Sequence, residues 1–224
     1  MNCDRKIEVL PIKKEETFDW LKNVHYAQRV PATISYAYGI YYDKILKGCV
    51  TYGSPSGREL AQMICGDGYV QEVLELNRLV LLNNEKNEAS YLVGNSMRML
   101  PKPSIVVSYA DSNQNHNGYV YQACNFLYTG MSKPRAKFWL DGKEIAERTL
   151  STWQGQSTRQ ETMEKYNIIS TKQMGKHRYV YFCANKKDKK ERMKEFKLPT
   201  EKYPKGENKN YAVSHQPLTQ PLLF

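Results

Sequence analysis

The residue types best suited to chemistry lie in and just behind one short apolar run. Ile105 to Tyr109 is apolar and β-branched and is too short for a helix, so it predicts a buried strand. Asp111 ends the run, His116 lies in the polar loop that follows, and Tyr121 lies on a helical pattern behind it. Ligands of open α/β sheets bind outside the carboxyl ends of strands. A carboxylate, an imidazole and a phenol are therefore expected to meet there.

These side chains also have structural explanations. Asp111 could cap the next turn, and Tyr121 could belong to the core. An arginine, Arg78, interrupts an apolar strand pattern, where burial is costly unless the charge is paired or faces a ligand. An ion pair with Glu72 or Glu75 is the structural alternative for Arg78, and a ligand contact is the functional one.

The composition is that of a globular protein. A chain of 224 residues, 41% hydrophobic and 25% charged, can bury about 70% of its unfolded surface in one domain. No apolar run approaches roughly 18 residues, so we expect no membrane span, no signal peptide and a cytoplasmic location. The five cysteines are scattered without a Cys-x-x-Cys pair, which predicts reduced thiols and argues against a zinc finger.

The net positive charge comes entirely from the C-terminal part of the chain. Residues 1–130 carry 13 Lys+Arg and 13 Asp+Glu, whereas residues 131–224 carry 20 and 10, so the net charge of +10 belongs to the latter. This asymmetry predicts a polyanionic partner, nucleic acid before membrane, with a solvated basic surface as the alternative. The candidate phosphate contacts are Lys172, Lys176, Arg178, Lys186, Lys187, Lys189 and Lys190.

The element order predicts an α/β fold with mixed strand pairing, in a domain of residues 1–185 followed by a basic helix and a proline-containing arm, 186–224. A helix is predicted over 15–26. Hairpins are predicted at Asp43-Lys44 and Asp141-Gly142, and a capping box at Ser157 or Thr158. A tyrosine-rich strand, 34–42, is either core or a stacking platform for bases. The chain has no Walker loop, nucleophile elbow or His-Glu-x-x-His motif.

The strand, loop and helix from Arg78 to Leu100 resemble the region where a GNAT acyltransferase carries its pyrophosphate loop. The resemblance implies a GNAT-like mixed central sheet flanked by helices, with a basic C-terminal extension. It also implies acetyl-CoA or another small-molecule donor near Asn87 and Ser90. The glycines that would let backbone amides approach a pyrophosphate are missing from Asn83 to Gly94, which argues against the usual mode of coenzyme A binding.

An ordered set of short motifs carries a closer resemblance. His25-Tyr26, Leu76-Asn-Arg78-Leu, Ser108-Tyr-Ala-Asp111, His116-x-Gly118-x-x-Tyr121 and Lys176-His-Arg-Tyr179 together resemble the Mom family of bacteriophage adenine-modifying proteins, over roughly residues 20–205. The resemblance implies conversion of adenine in double-stranded DNA to N6-carbamoylmethyladenine in the host bacterial cytoplasm, which protects phage DNA from restriction. It marks as functional the residues His25, Tyr26, Arg78, Asp111 and Tyr121.

The implied product limits the mechanism. Acyl transfer from a thioester puts a carbonyl carbon on the adenine amine, whereas the carbamoylmethyl group attaches through a methylene carbon. Iron could supply the oxidant or radical step that such a bond needs, held by His25, Asp111 and His116. Without a metal, Asp111 would be a general base or hydrogen-bond acceptor, and Tyr26 or Tyr121 an acid-base or stacking group. In both cases the base must leave the duplex.

Two other functions remain open at this point. A conventional GNAT N-acyltransferase would use acyl-CoA on the amine of a small molecule or a protein. A DNA-binding accessory protein on an inactive GNAT-like scaffold would need none of the candidate site residues for chemistry.

Overall fold

The computed structural model describes residues 6–206, which form a mixed α/β fold built on a seven-stranded sheet. Its strands are β1 (Ile7–Pro11), β2 (Tyr36–Tyr42), β3 (Ile45–Gly53), β4 (Val73–Leu81), β5 (Ser104–Ala110), β6 (Leu127–Met131) and β10 (His177–Cys183). They lie in the order β1-β2-β3-β4-β5-β10-β6, and every pairing is antiparallel except that of β4 with β5. The predicted mixed central sheet with flanking helices is confirmed.

A smaller antiparallel sheet, with order β8-β7-β9, lies in the connection between β6 and β10. Its strands are β7 (Arg135–Leu140), β8 (Lys143–Ile145) and β9 (Ile169–Gln173). The helices of the whole fold are α1 (Arg58–Cys65), α2 (Glu88–Met99), α3 (Tyr119–Ala123), α4 (Glu147–Gln154), α5 (Arg159–Lys165) and α6 (Lys186–Lys194). Within residues 6–206, no helix has the length and apolarity to cross a membrane.

The two faces of the main sheet are packed differently. One face carries a single large apolar cluster, in which Leu76 and Leu81 of β4 and Val106 of β5 pack with residues of α2 and α3. The other face carries two separate clusters, one centred on α1 and Val73, the other on Trp20 and Val80. The two clusters therefore lie toward opposite ends of β4, with the middle of the strand between them.

The tyrosines of β2 belong to the core. Tyr38 and Tyr42 are buried in the large cluster and Tyr36 packs against it, so this strand is not a stacking surface for bases. The helix predicted over 15–26 forms over residues 14–24, but it is irregular: a 3-10 turn (Lys14–Thr17) leads into a π-helical turn (Trp20–Val24).

The predicted turns and the predicted helix cap agree with the structure. Both predicted hairpins form, and Thr158 and Glu161 make the predicted capping box. Strands β6 and β9 were not anticipated, because each is a short segment that becomes a strand only by pairing with a distant partner.

Residues 132–176, hereafter the insert, have a small core of their own. Phe138, Leu150 and Ile168 are buried together under α4 and α5. Where the insert joins the main sheet, the two chain ends meet: Ser132 N–H donates to the Lys176 carbonyl at 2.8 Å, and Lys176 N–H donates to Ser132 Oγ at 2.9 Å.

The segment after β10 is tied to the main domain. Arg192 of α6 is buried and forms a bidentate ion pair with Glu72, at 2.6 and 2.7 Å. Farther on, Glu201 N–H donates to the Tyr128 carbonyl, and the Tyr203 hydroxyl donates to the Phe126 carbonyl at 2.7 Å. The part of the predicted C-terminal arm beyond residue 206 lies outside the described residues.

Candidate functional site

A β-bulge in β4 determines where Arg78 points. Thr51 pairs with Arg78 and Tyr52 pairs with Leu76, so Asn77 is the extra residue. The Asn77 side chain is fixed there: it accepts a 2.6 Å hydrogen bond from Thr51 Oγ1 and donates to the carbonyl of Thr33 at 2.9 Å. A bulge re-aims the next side chain. Here it leaves Arg78 on the face opposite the large cluster.

The candidate site lies where β4 and β5 part. The two strands are paired from Val73 with Ile105 up to Leu76 with Ser108, and no pairing is described beyond that point. Strand alternation places Arg78 just past the separation on β4 and Asp111 just past it on β5, on the same sheet face. The cleft therefore opens at the carboxyl ends of the parallel pair, which is where the sequence predicted it.

The π-helical turn brings His25 and Tyr26 to this cleft. Trp20 and Leu21 anchor the turn in an apolar cluster, and the His25 N–H closes it by donating to the Trp20 carbonyl at 2.9 Å. The His25 and Tyr26 rings stack with centroids 4.4 Å apart, and the ring of His116 meets Tyr26 edge-on at 5.9 Å. Single π turns occur frequently at functional sites.

His25 is buried, 7% exposed, and is held in one tautomer. Its Nδ1 accepts a 3.0 Å hydrogen bond from the Ala27 N–H. Burial, with the charges of Arg78 and His116, lowers the pKa of His25 to about 3. The imidazole is therefore neutral at physiological pH, its proton is on Nε2, and it offers a hydrogen-bond donor rather than a base.

Tyr26 is 46% exposed and lies on the solvent side of the three stacked and edge-on rings of His25, Tyr26 and His116. Burial of its hydroxyl and the nearby Asp111 carboxylate raise the pKa of Tyr26, and the charges of Arg78 and Arg29 oppose this. The phenol stays protonated at neutral pH, so Tyr26 can donate a proton or a hydrogen bond while its ring remains accessible to a ligand.

Among the candidate site residues, Arg78 carries the buried polar group with the fewest hydrogen bonds. Its Nη1 donates to the neighbouring Asn77 carbonyl at 2.5 Å, but its buried Nε has no hydrogen-bond partner among residues 6–206. Glu72, one proposed partner, is paired with Arg192 instead. Glu75, the other, attracts the Arg78 charge, although no ion pair between them is described within residues 6–206. Burial lowers the pKa of Arg78, and Arg29 adds to this. A buried donor without a hydrogen-bond partner lowers the stability of the fold by about 1–3 kcal/mol.

Asp111 has both a structural and an electrostatic role. One carboxylate oxygen accepts the Asn113 N–H at 3.1 Å and so caps a 3-10 turn, as the structural alternative predicted. The other oxygen lies 3.1 Å from the ammonium of Lys176. Although burial raises it, the pKa of Asp111 is held below its usual value by Asn113 and Lys176. The carboxylate is ionised and is a weak base.

The proposed metal set does not fit the observed hydrogen bonds. Among residues 6–206 there is no group of three or more His, Cys, Asp or Glu side chains that could hold a metal. His25 uses Nδ1 as an acceptor, which leaves a proton on the nitrogen that would have to ligate, and Asp111 is already bound to Lys176. Iron at His25, Asp111 and His116 stays a prediction without geometric support.

Tyr121 lies in the core cluster rather than on the open side of the cleft. It is buried, and its described ring contacts are with Phe126 at 5.4 Å and Tyr179 at 5.3 Å. Gly118, at the start of α3, has φ of +73°, and a Cβ there would overlap the Tyr179 ring. Tyr121 therefore packs on the sheet face opposite Arg78 and Asp111, and the structure does not bring it to them as the sequence predicted.

At the N-terminus of α2, the side chain of Glu88, a residue of the helix itself, lies next to the backbone amides. Asn87 caps the helix at φ +64°, and Ser90 Oγ donates to the Asn87 carbonyl. Glu88 is buried and accepts a 2.7 Å hydrogen bond from the Glu85 N–H. A carboxylate thus lies beside the backbone amides that a pyrophosphate would use, which adds a second argument against the usual coenzyme A mode.

The predicted phosphate contacts divide into three groups. Arg178 is 8% exposed, and its guanidinium donates to Thr129 Oγ1 and to the Thr129 carbonyl, so it does not reach the surface. Lys176 is committed to Asp111. The side chains that remain exposed for a phosphate are Lys172 on β9 and four residues of α6: Lys186, Lys187, Lys189 and Lys190.

Two partly buried groups of the cleft were missed as site candidates. Glu75 and Tyr109 lie on the same sheet face as Arg78. Burial raises the pKa of Glu75, and burial raises that of Tyr109 to about 12. Glu75 had been considered only as a partner for Arg78. Strand alternation from Arg78, allowing for one bulged residue, would have identified it.

Comparison with known proteins agrees with the ordered motifs. A model of the Mom protein family matches residues 6–205. A curated protein named methylcarbamoylase mom, from Escherichia phage Mu, is 28% identical over 196 residues, which cover 83% of this chain and 78% of that protein.

Solved structures resemble the chain less closely. NAA60 of Arabidopsis thaliana in complex with acetyl-CoA aligns with a TM-score of 0.45 and 15% identity, over 79% of this chain and 98% of that one. A putative acetyltransferase of Acinetobacter baylyi aligns with a TM-score of 0.47 and 10% identity, over 81% and 94%.

Proposed function

Because the chain belongs to the Mom protein family, we propose that it is a phage enzyme that modifies adenine in double-stranded DNA, with N6-carbamoylmethyladenine as the product. The name of the phage Mu relative, methylcarbamoylase, supports transfer of a group that contains an amide. Modified DNA would resist restriction nucleases in the cytoplasm of the bacterial host.

The observation that carries this proposal is the convergence of His25, Tyr26, Arg78, Asp111 and His116, from three distant segments, on the cleft between β4 and β5. Arg78 provides an unpartnered buried donor, and Tyr26 provides an accessible aromatic ring. A planar base stacked on Tyr26 would lie beside groups that can donate to and accept from it.

Each group has a role that its environment allows. The Arg78 guanidinium binds the amide carbonyl of the donor, which would satisfy the orphaned Nε. The Asp111 carboxylate accepts a hydrogen bond from the exocyclic amine of the adenine and orients it. The neutral His25 donates from Nε2, and Tyr26 supplies a proton or a stacking surface.

The new bond joins the adenine amine to a methylene carbon, so transfer of an acyl group from a thioester does not make this product. The donor must therefore carry a leaving group on the carbon next to its amide. As the amine attacks, the bond to that group breaks, the group departs with the bonding electrons, and the amine gives up a proton to the Asp111 carboxylate or to water. In duplex DNA the amine is paired in the major groove. The target adenine must leave the stack to reach a cleft bounded by buried side chains.

Nucleoside mass spectrometry tests the proposal directly. DNA from cells that express the chain should contain an adenine nucleoside heavier by one carbamoylmethyl group. The Asp111→Ala and Arg78→Ala variants should lack it. If DNA from cells with the wild-type chain contains only ordinary adenine, the proposal is wrong. If the Asp111→Ala variant modifies DNA normally, Asp111 does not take part in the chemistry.

A further inference from the structure

Within the part of the chain that the structure describes, one face of the sheet of the insert is exposed. Residues alternate along β7, so Phe138 points to the small core under α4 and α5 while Trp139 points to the other side. On β9, Ile169 pairs with Trp139 and lies on this same face, where it is 64% exposed. Apolar side chains of this size on a free sheet face indicate an interaction surface.

The uncovered face holds a cavity with a fixed aromatic wall. The cavity has a volume of about 390 Å³ and is lined by Trp139, Asp141, Gly142, Asn167, Ile169 and Thr171. The Trp139 Nε1–H donates to Thr171 Oγ1 at 3.0 Å, which fixes the plane of the indole ring. A flat apolar ring beside amide, carboxylate and hydroxyl groups matches the needs of a nucleobase, which stacks through its face and hydrogen-bonds through its edge.

The insert as a whole has a net positive charge, while Asp141 and Glu144 lie beside the ring with Arg135 and Lys137. The insert carries nine Lys+Arg against five Asp+Glu. Arg135 and Lys137 alternate with Phe138 along β7 and so share the face of Trp139, and the Lys137 ammonium lies 5.9 Å from the Trp139 ring centroid. Lys137 is paired with Glu144 at 2.8 Å, but both groups are about 40% exposed, so a phosphate can replace Glu144 at little cost.

The insert is joined to the candidate site at its base. Met174 N–H donates to Asn113 Oδ1, the Ser112 hydroxyl donates to the Gly175 carbonyl, and Lys176 pairs with Asp111. Arg135 lies close enough to the cleft for its charge to lower the pKa of Glu75 and of Tyr109. Trp139 is four residues farther along β7, which corresponds to about 13 Å of strand. DNA with its target adenine in the cleft would therefore have neighbouring nucleotides within reach of Trp139.

We propose that the uncovered face of the insert binds the substrate DNA beside the target adenine, with an unpaired nucleobase stacked on Trp139 and phosphates bound by Arg135 and Lys137. This inference rests on the proposed function for its choice of DNA. It adds a second contact surface, separate from the cleft and from α6, that would hold the strand while the adenine is displaced.

The test compares two tryptophans of the insert. Trp153, on α4, is 39% exposed and packs on Tyr166 at 5.1 Å, away from the uncovered face. Binding of a fluorescein-labelled duplex and of the matching single strand is measured by anisotropy with the full-length chain. Trp139→Ala should weaken binding of the single strand about tenfold. Trp139→Phe should recover most of it, and Trp153→Ala should bind like wild type.

A second measurement guards against unfolding of the insert. In the Trp153→Phe variant the selectively excited tryptophan emission comes from Trp139 and from Trp20, which is buried, so stacking on Trp139 should quench it on addition of oligothymidylate. Unquenched emission together with unchanged affinity of Trp139→Ala would overturn the inference, as would equal losses in Trp139→Ala and Trp153→Ala.

The same variants separate this inference from the proposed function. If the wild-type chain produces no modified nucleoside but Trp139→Ala alone loses affinity, the proposed function is wrong and the DNA surface stands. If the wild-type chain modifies DNA and Trp139→Ala binds and modifies normally, the inference is wrong and the proposed function stands.

Discussion

The ammonium of Lys176 lies 3.1 Å from a carboxylate oxygen of Asp111, and this ion pair joins the insert to the loop behind β5. Lys176 is therefore part of the candidate site and not a free surface cation. Because Asp111 keeps its charge partly through this contact, the two residues should act as a unit.

Replacement of Lys176 should lower DNA modification more than DNA binding. We expect Lys176→Gln to reduce the yield of modified adenine at least tenfold, because the Asp111 carboxylate loses one of the contacts that orient it. Affinity for DNA should change less than threefold. Lys172→Gln is the matched control, since Lys172 is exposed on β9, and it should alter affinity without a large change in modification per bound DNA. Parallel anisotropy and nucleoside analysis of both variants decides the assignment.

Arg78 should be required for modification although its removal does not destabilise the fold. Its buried Nε lacks a partner, so Arg78→Met removes an unsatisfied polar group as well as a costly charge. We expect modification to fall more than a hundredfold while the free energy of unfolding stays equal to wild type or rises by about 1 kcal/mol. Denaturant unfolding with nucleoside analysis tests both halves. A strongly destabilised Arg78→Met would show that Arg78 is a structural residue.

His25 should make the protein sensitive to acid. Its folded-state pKa is about 3, below the ordinary value of 6.5, so the unfolded chain binds a proton that the folded chain does not. Stability from this group is complete above pH 6.5 and falls toward pH 3, by about 1.4 kcal/mol per pH unit. The His25→Gln variant should show a flatter dependence over that window. If the free energies of unfolding of the wild type and of His25→Gln fall equally between pH 6.5 and pH 3, the imidazole of His25 is not buried in its neutral form.

The lysines of α6 should contribute to affinity through charge alone. Changing Lys186, Lys187, Lys189 and Lys190 to Glu should weaken duplex binding. The slope of the logarithm of the binding constant against the logarithm of the salt concentration should become shallower by on the order of 3–4. The helix should stay folded, because acidic side chains in its first turn are favourable and Arg192 still binds Glu72.

The control for that variant changes the same number of charges elsewhere. Lys14, Lys22, Lys44 and Lys86 are exposed on other parts of the chain, and their replacement by Glu gives the same net charge. If both quadruple variants lose affinity equally, the effect belongs to the overall charge and α6 is not a specific contact.

Acetyl-CoA should not stabilise the protein. A ligand at a hundred times its dissociation constant adds about 2.7 kcal/mol to stability, which a thermal-shift assay detects easily. We expect no shift, because Glu88 occupies the start of α2 and the glycines of a pyrophosphate loop are absent. A shift of several degrees would revive the conventional N-acyltransferase as the function.

The sequence was sufficient for those features that depend on local pattern. The apolar run at β5, the Asp141-Gly142 hairpin and the Thr158 capping box each follow from neighbouring residues. The cleft position followed from a general rule about strand ends. Arg78 was identified because a charge in an apolar strand needs an explanation.

Features that depend on distant partners could not be predicted. The π-helical turn requires packing of Trp20 and Leu21 on β3 and β4, which the local pattern of residues 15–26 does not contain. Lys176 and Arg178 were assigned to phosphate because a sequence shows positive charge but not the Asp111 or Thr129 that binds it. The Glu88 carboxylate at the start of α2 depends on the loop before it.

The closed base of the insert has an evolutionary consequence. The chain leaves the main sheet at Ser132 and returns at Lys176, and these two residues are hydrogen-bonded to each other. A module attached through two adjacent ends can be shortened, enlarged or exchanged without moving the frame that holds the cleft. A different segment could therefore replace residues 132–176 without disturbing the arrangement of His25, Arg78 and Asp111.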